Sequence, residues 1–145
     1  MNNVEKFDVY FDQLGLRYFS PAELRFMGAS NQSGKAKGKN TLPPEAQWAH
    51  LASVALAADE IREQFGHPLR VLSAYRSPAY NKAIGGASQS YHMHAMALDL
   101  QPLNGDVQGL YDSAVQLRGL GVFQGGIGKY SSFVHIDVRG HNADW

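Results

Sequence analysis

The stretch Ser90–Leu100, SYHMHAMALDL, is where the fold and the chemistry of this chain meet. Its first half places a hydroxyl beside an imidazole, and its second half carries a carboxylate in a strand-like pattern of alternating polarity. A second segment, Phe133–Val138, carries another imidazole in a clearer strand pattern. Together, His92, Asp99 and His135 provide two imidazoles and one carboxylate, a ligand set that suits a zinc ion with one position left open.

The second segment also supplies Asp137, whose role the pattern leaves open. Residues two apart on a strand project from the same face, so His135 and Asp137 share a face. We therefore expect Asp137 either to orient His135 or to accept the proton of the attacking water, and we count it among the catalytic residues. His94 would share a face with His92 and compete as a ligand if the strand began early, but our interpretation leaves it as a bystander.

Arg76 follows a predicted strand and stands beside Tyr75. A guanidinium forks onto a carboxylate through two hydrogen bonds, so in a peptidase Arg76 would hold a terminal carboxylate or stabilise an oxyanion. The alternative is a surface arginine that caps a turn. We assign Arg76 to catalysis and substrate binding, and we place Tyr75 beside it in the substrate-binding group.

The composition of the chain limits the possible function classes. Its 145 residues suit a single domain, with 44% hydrophobic and 18% charged residues, as in a folded protein. Thirteen basic residues balance 13 acidic ones, so no overall field favours a nucleic-acid partner. The chain has no cysteine, so any metal must be held by His, Asp or Glu. We expect a monomer.

The N-terminal segment Met1–Lys6 lacks the basic patch and apolar run of a signal peptide. No window approaches the ~18 consecutive apolar residues of a membrane span. We therefore expect synthesis in the cytoplasm, and if the protein acts outside the membrane, something else must deliver it there.

Local signals predict one domain, with residues 1–44 as an N-terminal helical arm and loop and residues 45–140 as the core. Ser20-Pro21-Ala22-Glu23 forms a capping box, which predicts a helix as far as Met27. Further helices are predicted over 45–65, 78–84 and 106–118, and strands over 69–75, 97–100 and 133–138. Residues 4–19 are either a helix or an arm. The order predicts an α+β fold with a small, mostly antiparallel sheet in one layer, flanked by helices.

At this point the sequence resembles a known family. Residues 90–99 resemble the Ser-x-His-x-x-Gly-x-Ala-x-Asp motif of the zinc D-alanyl-D-alanine carboxypeptidase family. The resemblance covers about residues 19–140 and extends to the segments LSAYRSPAYN (72–81), GGA (85–87) and FVHIDVRG (133–140).

This resemblance implies a hedgehog/D,D-peptidase-like fold and cleavage of peptidoglycan stem peptides or cross-links. It implies that His92, Asp99 and His135 bind Zn²⁺ and that Arg76 and Ser90 contact the substrate. Members without a signal peptide are frequently phage endolysins, which fits this N-terminus, so the resemblance implies action on the cell wall once the protein is delivered there.

Two residues depart from the family pattern. Ala95 replaces the glycine of the motif, which matters if that position needs a positive φ. Several branches of the family have a glutamate three residues before the last histidine as the general base, and Ser132 stands there instead. These departures support an alternative function, a catalytically silent cell-wall-binding or phage structural module that keeps its zinc. A metal hydrolase that is not a peptidase is a third possibility.

Overall fold

The sheet at the centre of the molecule has five strands in the order β1-β2-β4-β3-β5. They are β1 (Leu69–Ser73), β2 (Ala97–Pro102), β3 (Gly126–Lys129), β4 (Val134–Asp137) and β5 (Ala143–Asp144). Neighbouring strands are antiparallel except β3 and β5, which are parallel. This computed structural model describes residues 1–145 and confirms a single α+β domain with a small, mostly antiparallel sheet and flanking helices.

The five α-helices are α1 (Asn3–Asp12), α2 (Pro21–Leu24), α3 (Trp48–Phe65), α4 (Pro78–Ala83) and α5 (Val107–Gly119). Short 3-10 turns lie at Ala29–Asn31, Gly34–Ala36, Glu45–Gln47 and Tyr91–His94. None of the helices has the combination of length and hydropathy that crossing a bilayer requires.

Along the two central strands, β2 and β4, successive side chains point alternately into the hydrophobic core and toward the candidate site. Leu98 lies opposite Ile136 in the β2–β4 pair, and both side chains are buried in the hydrophobic core. The next pair, Asp99 opposite His135, must project from the other face of the sheet. One strand pairing therefore provides an apolar face for the helices and a polar face for chemistry.

The apolar face is covered by α3, which packs against β2, and by α5, which packs against β3. Leu51 and Ile61 of α3 are fully buried, and each contributes about 1.5–3 kcal/mol by leaving water. The predicted helix over 45–65 is confirmed, with its first three residues as a 3-10 turn. It ends at Gly66, whose left-handed conformation (φ 81°) closes the last turn.

The N-terminal region is part of this core. Phe7 and Phe11 of α1 are buried, and the Phe7 ring lies edge-on to Trp48 at 5.5 Å. The predicted capping box of α2 is present. The helix ends at Leu24 rather than at Met27, because Arg25 leaves helical geometry and donates to both carboxylate oxygens of Asp8 in α1.

The loop between α2 and α3 is held by the buried side chain of Asn40. Its Nδ2 donates to the carbonyls of Met27 (2.9 Å) and Tyr75 (3.0 Å), and its Oδ1 accepts from the amide of Ser77 (2.9 Å). These bonds fix the backbone on both sides of Arg76. The loop therefore helps to position a residue that the sequence assigns to the site.

Strand β1 ends two residues earlier than predicted, at Ser73. The backbone then turns away from β2, and the amide of Arg76 donates to the carbonyl of His92 at 3.0 Å. The predicted strands included neither β3 nor β5, which is only two residues long.

Ala95 is the only residue other than glycine with a positive φ (56°). It ends the 3-10 turn Tyr91–His94, and its side chain is fully buried. This left-handed residue turns the chain from His92 into β2. The motif position therefore has the positive φ at which the replacement of glycine matters.

We predict that Ala95→Gly leaves the free energy of unfolding within about 0.5 kcal/mol of wild type. The substitution relieves roughly 1 kcal/mol of strain from the left-handed backbone. It also removes a buried methyl group, whose burial contributes about 0.8 kcal/mol to stability. Ala95→Val adds a β-branched side chain to a full site and should cost roughly 1–3 kcal/mol. Urea unfolding of the three proteins measures both changes in the free energy of unfolding. A valine variant as stable as wild type would contradict the conclusion that this site is full and its backbone strained.

Candidate metal centre

The three predicted ligands come from three separate places in the chain and meet at one point. His92 lies in the 3-10 turn, Asp99 lies on β2 and His135 lies on β4. One potential ligand atom from each lies within 4.8 Å of the other two. His92 Nε2 is 3.1 Å and His135 Nδ1 is 3.0 Å from Asp99 Oδ1. The structure therefore brings together the ligand set expected from the sequence.

The remaining nitrogen of each imidazole faces a group that only accepts hydrogen bonds. His92 Nδ1 lies 2.7 Å from the carbonyl oxygen of Ala74, and His135 Nε2 lies 2.8 Å from Asp137 Oδ2. Each of these nitrogens carries a ring hydrogen, so the neutral imidazoles have lone pairs at His92 Nε2 and His135 Nδ1. Both lone pairs face the Asp99 carboxylate. Three acceptors that converge in this way fit a bound cation, and this is the usual way that proteins orient metal-binding histidines.

The pKa shifts of the buried groups distinguish the two imidazoles. Burial lowers the pKa of His92, which keeps its imidazole neutral near pH 7. Burial alone would raise the pKa of Asp99, but the imidazoles of His92 and His135 hold it well below its usual range. Burial alone would lower the pKa of His135, but its bonds to Asp137 and Asp99 raise it. A proton therefore competes with a metal at His135 more than at His92.

Asp137 is completely buried and its oxygens are occupied. Besides His135, it accepts from Nε (2.9 Å) and Nη2 (2.7 Å) of Arg139 and from the amide of Gly126 (2.8 Å). Burial alone would raise the pKa of Asp137, but these donors hold it well below its usual range. Of the two roles left open by the sequence, this geometry favours the orientation of His135 over proton transfer.

Arg76 is anchored at the edge of the centre rather than exposed on the surface. Its Nε donates to Ser73 Oγ at 3.0 Å, its Nη1 to Asn81 Oδ1 at 3.3 Å and its Nη2 to Asp99 Oδ2 at 3.4 Å. Asn81 is itself buried and donates to the carbonyl of Ala87. Sequence reasoning missed Asn81, because only the folded chain shows that it braces the guanidinium.

These groups open into a cleft of about 660 Å³. Its lining consists of Arg76, Gly86, Ala87, Gln89, Ser90, Tyr91, His92, Asp99, Tyr130, Phe133, His135, Arg139 and Trp145. Ser90 therefore lies in the cleft, with its hydroxyl accepting from the amide of His92 at 3.2 Å.

Two candidate residues lie elsewhere. Tyr75 is only 7% exposed and packs in the hydrophobic core, where burial raises the pKa of its hydroxyl. The structure therefore does not place the Tyr75 side chain in the cleft, and the substrate-binding role that we predicted for it is not supported. The imidazole of His94 is exposed and is not one of the three converging side chains.

Sequence reasoning missed the far side of the cleft. There the guanidinium of Arg139 lies over the ring of Tyr91, 4.4 Å from its centroid, and over the ring of Trp145, 5.0 Å from its centroid. The sequence did contain a signal for this side of the cleft: Gly126 and Gly128 are two residues apart and lie on the same face of β3. A Cβ on Gly126 would lie 2.8 Å, and one on Gly128 2.5 Å, from an atom of Trp145, so the pair leaves room for a large ring.

Comparison with known proteins adds one finding. A search of curated proteins found no match to this chain. A family model described as Peptidase M15 matches residues 17–137, which include all three converging ligands, Arg76 and Asp137. The match covers most of the chain and agrees with the resemblance drawn from its motifs. The chain belongs to the Peptidase M15 family.

Proposed function

We propose that this protein is a zinc-dependent peptidase that hydrolyses peptide bonds in peptidoglycan stem peptides or cross-links. We further propose that it works as a D,D-carboxypeptidase or endopeptidase and that it serves a phage or prophage as an endolysin. The observation that carries the proposal is the convergence of two imidazole lone pairs and one carboxylate at an open cleft. Membership of a peptidase family supports the reaction class.

His92, Asp99 and His135 would hold the zinc ion, since two neutral imidazoles and one carboxylate leave a net positive centre with an open position. A zinc ion there would supply a Lewis acid for the scissile carbonyl and would lower the pKa of water. The carbonyl of Ala74 and the carboxylate of Asp137 keep the two imidazoles in the tautomers that this requires.

Arg76 is the group best placed to bind the substrate. Its bonds to Asn81 and Asp99 are long, 3.3 and 3.4 Å, so a substrate carboxylate at 2.7–2.9 Å would be a stronger partner. The side chain is held by Ser73 and Asn81 before substrate arrives. We propose that this guanidinium positions a carboxylate of the peptide and that Ser90 lies along the same part of the cleft.

One observation favours the alternative of a silent zinc-containing module that binds cell wall. Asp99 is the only carboxylate that lines the cleft, and it is a proposed ligand. Ser132 is exposed on the turn before β4 and does not line the cleft. A peptidase of this kind must therefore move its proton without a separate carboxylate base.

The two functions are separated by digestion of purified peptidoglycan. We expect the zinc-loaded protein to release new amino groups, a chelator to stop this release, and added zinc to restore it. Mass spectrometry of the products names the bond. A protein that binds zinc and sediments with cell wall but releases no amines would instead be the silent module.

The ligand assignment predicts different results for two neighbouring histidines. His92→Ala removes a ligand and should abolish both measurable zinc binding and hydrolysis. His94→Ala changes an exposed side chain and should leave zinc affinity and rate within about twofold of wild type, as expected of a surface substitution. Isothermal titration with zinc compares the two variants, and equal losses would refute the assignment.

The role of Asp137 is tested by Asp137→Asn. If Asp137 orients His135, the substitution should weaken zinc binding by about 10- to 100-fold. An Asp137 that acted as the base would give a different result, with zinc affinity unchanged and the hydrolysis rate lost at saturating zinc. Thermal unfolding without metal provides the control for damage to the fold.

A further inference from the structure

The side of the cleft opposite Arg76 is formed by three aromatic side chains, which we call the aromatic wall: Tyr130, Phe133 and Trp145. The rings of Tyr130 and Phe133 are stacked with centroids 4.5 Å apart and planes only 7° from parallel. The indole Nε1 of Trp145 donates to the hydroxyl of Tyr130 at 2.8 Å. The three rings therefore form one connected surface.

Trp145 is held by contacts of its ring and of its backbone. Its indole lies over Gly126 and Gly128, where any Cβ would collide with the ring. Its backbone pairs with β3, donating to Ile127 and accepting from Lys129. Its ring stands 5.0 Å from the ring of His135 and 5.0 Å from the guanidinium of Arg139.

This fixed wall is nevertheless open to solvent. Trp145 is 48% exposed and Tyr130 is 43% exposed, although both belong to a site whose metal ligands are buried. Large rings that are rigidly held and left uncovered present apolar surface at little entropic cost, which is the property of a binding surface. The wall lies beside the ligands, so a bound substrate would reach it.

The two flanks of the centre differ in chemistry. Arg76 binds Asp99 on one flank, and Trp145 packs near His135 on the other. A peptide whose scissile bond lay at the ligands would therefore meet a guanidinium on one side and aromatic rings on the other. A carboxylate suits the first flank, and aliphatic side chains suit the second.

Building on the proposed function, we propose that the aromatic wall is a specificity subsite for the acyl side of the scissile bond. It binds the aliphatic side chains of the residues that precede the bond. The amine product, which keeps the C-terminal carboxylate of the substrate, lies against Arg76. The preferred substrate is then an extended peptide with aliphatic surface before the cleaved bond rather than a short acylated dipeptide.

Two synthetic peptides with the same scissile bond and C-terminus test this. The long one carries aliphatic residues before the bond, and the short one carries only an acetyl group. We expect Trp145→Ala in the zinc-loaded full chain to lower kcat/KM on the long peptide roughly tenfold, mainly through KM, as for a lost apolar contact. The short peptide should change less than about twofold, the range of a side chain that it does not touch.

Two further variants test whether the effect of Trp145→Ala comes from the lost aromatic ring at this position. Trp145→Phe keeps a ring over the glycines and should recover most of the activity on the long peptide. Tyr18→Ala is the matched control, because Tyr18 is also an exposed ring stacked on an arginine, Arg62, but it does not line the cleft. Equal losses on both peptides in Trp145→Ala would overturn the subsite and mean that the ring only supports Arg139.

Fluorescence gives a readout that does not need turnover. The chain has two tryptophans, and Trp48 is only 6% exposed, so quenching by acrylamide reports mainly on Trp145. The long peptide should shield this emission and the short peptide should not. If the wild type cleaves neither peptide, the peptidase proposal fails, and shielding by the long peptide alone then supports the wall as a binding surface for aliphatic residues without turnover. Absence of shielding overturns the subsite whether or not cleavage occurs.

Discussion

The pairing of β2 with β4 is the constraint on which the site depends. It sets Asp99 directly opposite His135, and it sets Leu98 against Ile136 on the reverse face. A shift of one residue would move both leucine and carboxylate to the wrong side, so burial of the core enforces the geometry of the centre. The hydrophobic effect thus fixes a polar arrangement that has no stability of its own.

Burying these polar groups costs folding free energy, and nearby hydrogen-bond donors and charges offset part of that cost. Asp99 and Asp137 are buried carboxylates that would destabilise the fold if left unpaired. Arg139 and the amide of Gly126 neutralise Asp137 from within the protein. Asp99 has only the more distant Arg76 and the imidazoles of His92 and His135 around it. This unequal compensation supports the proposal that Asp99 binds a cation, whereas Asp137 already has its partners within the protein.

The features that could be predicted from the sequence are those that depend on local spacing. The capping box at Ser20, the glycine stop at Gly66 and the alternation around His135 all follow from nearby residues. The supporting groups could not be predicted, because they act across the fold. The carbonyl of Ala74, which fixes the tautomer of His92, has no side-chain signature at all. Tyr75 was misplaced because adjacency to Arg76 does not show which side of the chain faces the cleft.

Arg139 joins the candidate metal centre to the aromatic wall, and its contacts with the two differ in geometry. Its guanidinium forks onto Asp137 at 2.7 and 2.9 Å, while the rings of Tyr91 and Trp145 lie farther away at 4.4 and 5.0 Å. The buried ion pair is short and directional, whereas the stacking is broad and tolerant of changes in ring shape. The fork on Asp137 therefore keeps His135 oriented without depending on any one ring. If the aromatic wall is the subsite that we propose, substitutions at Trp145 would change substrate preference and leave the ligands of the centre in place.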